Sequence, residues 1–371
     1  MDWTYLLDRA NDFLVIRRAR RRCPEAACVS AGQVWFDLQA DNLLFDGGRF
    51  FHSLATQLIE LGHAVAIVDH PRTAYQLARE AHGAALLACP AVQLVKPSCL
   101  PPQGAYVFTD AMVSSDAQIA IRIEIGATCH TGAMVCPYPV EPGLRPQLTP
   151  KQLARGRGFR QRARLLYFEN PMQRGDSSHR GRRGFQCSSA ELLSHLQIRW
   201  GRVCDPLDKA SRPPDSLRKP ITLGDAMKTP LPPGQWLETL SRFDFYVGCP
   251  GHIHVMNHRV IEAMSVGTIP LLQYAHCFTP RLVDGHNAIV FSGLGGFEDA
   301  INRILDMDER SIRQLRRNVI EYYDAHLQTE RFVRRLLMTA RMRGGAVLSI
   351  PDHGIDRIRP SLDLSDRATA A

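Results

Sequence analysis

The chain has 371 residues, 45% of them hydrophobic and 22% charged, with a formal net charge of +8. That length suits two domains of moderate size, the composition excludes a disordered chain, and no apolar run approaches the roughly 18 residues of a membrane span. The basic balance, with arginine clusters at 17–22, 155–164 and 180–183, suits an anionic partner such as a nucleotide diphosphate, an acidic membrane face or nucleic acid.

In chain order, the start "MDWTYLLDRANDFLVIRRARRR" puts its basic run after a short apolar patch. This is the reverse of a secretory signal and predicts a protein kept in the cytosol. Ten cysteines are scattered without a CxxC pair, which speaks for thiols in a reducing compartment rather than a zinc site. "VWFDL" (34–38) reads as a strand, followed by a loop ending in Gly47-Gly48. "RFFHSLATQLIELG" then spaces Phe50, Leu54, Leu58 and Leu61 at helical intervals, with Gly62 as its C-terminal cap. "HAVAIVD" (63–69) returns as a buried strand, completing a βαβ unit. "AYVFTD" (105–110) and "AIRIEIG" (120–126) are further strands.

Between about 137 and 162 proline, glycine and arginine dominate and no period survives, which marks a domain boundary. "RLLYFEN" (164–170) opens the second half, and "FDFYVGCP" (243–250) and "TIPLLQ" (268–273) flank a helix. The order again implies a parallel, Rossmann-like sheet. "GFEDAINRILDM" and the run from 309 to 342 are helical, and the tail has little pattern. The expected division is 1–145, a linker at 146–163, 164–345, and a loose tail at 346–371. Two such domains facing a central cleft would bind ligands at the carboxyl ends of their strands.

The helix after Pro250-Gly251 holds the densest chemistry. Met256, Val260 and Met264 stack at four-residue intervals as a packing face, leaving His258, Arg259 and Glu262 on the opposite arc. Gly251 lies in the turn leading to a helix start, where free N–H groups suit a phosphate. A plain solvated Arg259–Glu262 pair is the alternative.

"HRVIEAMSVGTIPLL" followed by "FTPRLVDGHNAIVF" (278–291) resembles the donor-binding core of GT-B glycosyltransferases, nearest to exostosin-like and related bacterial members. "LATQLIELGHAVAIVD" and "VCPYPVEP" resemble parts of the amino-terminal domain of that fold. The resemblance implies that Glu262 binds the ribose of a nucleotide-sugar. It places Asn257, His258 and Arg259 near the diphosphate or the sugar, and makes Arg180, Arg182 and Arg183 candidates for offsetting the leaving group's charge. His254 stands where the large retaining family 4 carries a second glutamate, so retention of configuration is not implied.

An inverting transfer would need a base. Asp46, Asp110, His130, His252 and His254 occupy plausible loop positions, each with a structural role as the alternative. No DxD motif sits in a suitable loop, and neither a metal nor a cofactor beyond the donor substrate is expected. The implied activity is transfer to a glycan, polysaccharide or lipid-linked acceptor by a cytoplasmic enzyme, with peripheral contact to the inner membrane face as a further expectation. A nucleotide-sugar epimerase and a non-catalytic module binding glycan or protein are the alternatives. Nucleic acid is not expected, because the arginine clusters lack interleaved aromatics.

Overall fold

A computed structural model describes residues 3–21, 33–39, 48–111, 118–126, 132–158, 163–169, 187–207, 220–225, 231–251 and 255–351. The chain forms two units, Met1–Pro142 with Asp324–Asp352, and Gly143–Tyr323.

The first unit starts with α1 (Trp3–Arg21), which the sequence reading left without an element. β1 (Gln33–Asp37), α2 (Arg49–Glu60) and β2 (Ala64–Val68) form the expected βαβ unit. Phe50, Leu54 and Leu58 are buried, and Gly62 closes the turn after α2 with a positive φ of 86°. That conformation costs glycine little and other residues much. α3 (Pro71–Arg79), α4 (Ala81–Ala88), β3 (Val92–Val95), β4 (Tyr106–Thr109), β5 (Ile119–Ile125) and β6 (Met134–Val135) follow. Phe36 anchors this core, stacked on Phe108 and edge-on to Phe51 with centroids 4.8 Å away in both cases.

The segment expected as a patternless linker is partly helical. α5 (Pro150–Arg157) begins with a proline in its first turn, and the Thr149 hydroxyl accepts from the Gln152 N–H. Sequence periodicity missed it because the helix is short and arginine-rich. Its Arg157 Nε donates to the Ser265 carbonyl at 2.9 Å, so α5 is part of the second unit.

That unit continues with β7 (Ala163–Glu169), α6 (Ser189–Trp200), β8 (Cys204–Pro206), β9 (Ile221–Asp225), α7 (Pro233–Leu240), β10 (Phe243–Gly248), α8 (His258–Ser265), β11 (Ile269–Leu272), β12 (Ile289–Val290), α9 (Gly293–Asp306) and α10 (Glu309–Tyr322). Its sheet runs β12-β11-β10-β7-β9-β8, with every pairing parallel. All six residues of β10 are buried, as expected of a strand covered on both faces. Among them is Asp244, with Arg164 at 3.7 Å and Arg316 at 3.6 Å.

The long helical run from 309 is broken by a π-turn at Tyr323–Leu327 before α11 (Thr329–Arg343) and β13 (Gly345–Ile350). Here the expected boundaries need correction. β13 inserts in parallel between β5 and β6, giving the first sheet the order β3-β2-β1-β4-β5-β13-β6. Residues 324–351 therefore belong to the first unit, and 345–350 is a strand rather than loose tail. Its buried Leu348 and Ile350 complete a core that the amino-terminal segment leaves open. The result is two Rossmann-like units, each built on an all-parallel sheet. Among the described residues no helix is long and apolar enough to cross a membrane.

Candidate functional site

In the first sheet the connections leaving the neighbouring strands β1 and β4 run in opposite directions, and in the second sheet those leaving β7 and β10 do so. Open α/β sheets bind ligands outside the carboxyl ends of the strands at such a point. In the second unit this edge is formed by the end of β7, by Gly248 closing β10 and Cys249 and Pro250 after it, and by the start of α8.

α8 is set in place from three directions. Gly248 lies so close to it that a Cβ there would meet Val260 Cγ2 at 2.8 Å. The Asn257 side chain caps the helix by accepting from the Arg259 N–H at 3.0 Å, and its Nδ2 donates to the Cys249 carbonyl at 3.4 Å. Gly267, at φ 79°, turns the chain out of the helix into β11. The Gly251 N–H donates to the Val255 carbonyl at 3.2 Å.

Glu262 does not share a solvent-facing arc with His258 and Arg259. Every residue from Val260 to Ser265 is buried, and Glu262 is 0% exposed. The Trp236 Nε1–H donates to Glu262 Oε2 at 2.7 Å, and His258 Nδ1 lies 2.8 Å from Oε1. A buried carboxylate is tolerable because it is hydrogen-bonded on both oxygens. No Arg259–Glu262 ion pair occurs among the described residues.

Arg259 instead lies over aromatic faces, its guanidinium carbon 5.1 Å from the centre of the Phe168 ring and 5.4 Å from that of Trp236. The two rings are 5.0 Å apart, and Tyr246 meets Trp236 edge-on at 6.1 Å. Burial pushes the Tyr246 hydroxyl pKa up, and the neighbouring Arg259 opposes that rise. Phe168 lies flat against β9 because residue 224 is glycine; a Cβ there would come 2.3 Å from Phe168 Cδ2. Among the described residues no carboxylate pairs with Arg259. The arrangement is a rigid, half-buried cation beside a helix start, with the imidazole of His258 next to it. Such a site can hold a diphosphate.

Asn257, His258, Arg259 and Glu262 are thus brought together, whereas Asp46, His130, His252, His254, Arg180, Arg182 and Arg183 lie outside the described residues. Asp110, after β4, accepts the Gln39 N–H at 2.8 Å. The sequence reading missed Phe168, Trp236, Tyr246 and Gly224. Phe168 and Tyr246 lie on strands, Trp236 on α7 and Gly224 on β9, residue types that ordinary core packing also puts there, so the sequence carried no distinguishing signal.

No family model matches this chain, and no curated protein matches it in sequence. Similar solved structures include a glycosyltransferase from Rickettsia africae ESF-5, at 9% identity over 84% of this chain and 99% of that one, with a TM-score of 0.40. Another is an alpha-glucosyltransferase in complex with UDP and a 13-mer DNA containing a HMU base, at 10% identity over 85% and 100%, TM-score 0.40. A third is Anabaena Alr3699/HepE in complex with UDP and glucose, at 9% identity over 83% and 99%, TM-score 0.41.

Proposed function

We propose that this protein is a glycosyltransferase that binds a nucleotide-sugar donor at the start of α8 and passes the sugar to a glycan, polysaccharide or lipid-linked acceptor. The observation that carries this reading is Arg259, a cation held over Phe168 and Trp236 at the switch point of a parallel sheet with no carboxylate partner among the described residues. In this reading Arg259 and the amino-terminal N–H groups of α8 offset the charge growing on the departing diphosphate, the role a divalent ion plays elsewhere.

The test is calorimetric titration of UDP, GDP, ADP and dTDP into wild type and Arg259→Ala. One nucleotide is expected to bind, with affinity falling roughly 10- to 100-fold in the variant, as for loss of a charge-assisted hydrogen-bond partner. No binding to folded wild type by any of the four sinks the reading. Nucleotide binding without sugar transfer to any acceptor would favour the non-catalytic alternative.

Contact with an anionic membrane would be made by α1. Its Phe13 is 70% exposed and Leu14 is 47% exposed, with the exposed Arg17, Arg18 and Arg21 one to two turns further on. Apolar side chains beside cations suit an anionic lipid surface. Co-sedimentation with vesicles containing phosphatidylglycerol, weakened by salt and by Phe13→Glu, is the expected result; equal behaviour with neutral vesicles would remove this contact.

A further inference from the structure

We propose that Glu262 is a positioning residue that never meets the ligand, and that His258, held by it, accepts a hydrogen bond from a ribose hydroxyl of the bound nucleotide. This rests on the reading of the α8 site as a nucleotide site and reverses the role that sequence resemblance gives to Glu262.

The carboxylate is 0% exposed and both its oxygens are taken within the protein, by His258 at 2.8 Å and Trp236 at 2.7 Å. To reach a ligand it would have to surrender those partners. An ionised carboxylate only accepts hydrogen bonds, so His258 must donate from Nδ1. That choice fixes the tautomer and leaves Nε2 as the free ring nitrogen.

His258 is the first residue of α8, and a quarter of its side chain is exposed. Its Nε2 has no hydrogen-bond partner among the described residues. In the Nδ1–H form of the ring, Nε2 carries the lone pair. A lone pair repels phosphate oxygens and accepts from hydroxyls. In a nucleoside diphosphate the ribose is joined directly to the diphosphate. Adjacent residues, Arg259 for the diphosphate and His258 for the ribose, match adjacent groups of the ligand. Glu262 also fixes the other half of the site, because its Oε2 holds the Trp236 ring that lies under Arg259. One buried carboxylate therefore orients both outward groups.

The experiment compares UDP, GDP and ADP with their 2′-deoxy and 3′-deoxy forms and with inorganic pyrophosphate, on wild type, His258→Ala, Glu262→Gln and Arg259→Ala. The ¹⁵N shifts of the His258 ring are recorded alongside. Wild type is expected to favour the ribonucleotide over one deoxy form by about 10-fold, the worth of one good hydrogen bond. It should also show a single Nδ1–H tautomer whose Nε2 shift moves on nucleotide addition. His258→Ala should abolish the preference while losing far less affinity for pyrophosphate. Glu262→Gln should weaken it and mix the tautomers, whereas Arg259→Ala should lose pyrophosphate.

Full ribose preference in His258→Ala, or an Nε2–H tautomer in wild type, overturns the proposal even if Arg259→Ala abolishes nucleotide binding; in that case the site reading stands. No nucleotide binding to wild type overturns both. The His258→Ala and wild-type tautomer measurements decide the matter even if Glu262→Gln fails to fold.

Discussion

The two sheets carry different chemistry at equivalent edges. At the carboxyl edge of the first, two charged side chains are paired within the unit. Asp69 after β2 receives both a 2.6 Å and a 2.9 Å bond from Arg20, and His70 lies 2.6 Å from Asp37 at the end of β1. At the same edge of the second sheet, Arg259 faces aromatic rings instead of a carboxylate. Two units of one architecture thus separate an edge with internally paired charges from one whose Arg259 has no carboxylate partner among the described residues. Fold alone does not confer a site; the particular side chains at an edge do.

The sharpest way to break this contrast is Trp236→Ala. It removes the ring under Arg259 and one of the two donors to the buried Glu262 carboxylate. Nucleotide binding should be lost, and the second unit should lose about 3–5 kcal/mol, as for large buried aromatic truncations. Calorimetry and chemical denaturation read the two effects separately; retained affinity would show that the aromatic platform is dispensable. Arg259→Lys is milder. It keeps the charge but not the planar guanidinium that lies over Phe168 and Trp236, so nucleotide affinity should fall by roughly 10-fold with little change in stability. Unchanged affinity would mean that charge alone matters at this edge.

Much of the architecture was legible because buried parallel strands are long apolar runs, as "FDFYVG" and "TIPLL" are. The helix α8 was legible as well, with its Asn257 cap and its turn at Gly267. Two things were not. The return of β13 to the first sheet is a pairing across more than two hundred residues, and local periodicity holds no trace of it. The inward turn of Glu262 was hidden for a similar reason. Polar residues three and four apart normally mark a solvated face, and one of the two partners that make burial of that carboxylate possible, Trp236, is distant in sequence. Contacts of this kind are set by tertiary packing, and neither partner's neighbours in sequence announce them.

Gly224→Ala sharpens the comparison from inside the second sheet without touching any polar group of the site. The new methyl would overlap Phe168, 2.3 Å from Cδ2, and must push the ring out of the plane on which Arg259 rests. Overpacking of this kind costs about 1–3 kcal/mol. Nucleotide affinity should drop several-fold while the charge at the site stays the same. If affinity holds although the melting temperature falls, the ring's position is structural only.

The smallest effect is expected from Arg20→Ala at the matched edge. The pair with Asp69 is bidentate, but Arg20 is 48% exposed, and water already screens much of the attraction. Hydrogen bonding to Asp69 raises the Arg20 pKa, yet this guanidinium is charged at any ordinary pH, so the loss should not depend on pH across the neutral range. Exposed pairs typically contribute 0–1 kcal/mol, and the melting temperature should move little. Nucleotide binding should not change at all, because Arg20 and Arg259 belong to different units and Asp69 needs no ligand to balance it. A large loss of nucleotide affinity in Arg20→Ala would show that the matched edge also serves the ligand, and the division between the two edges would fail.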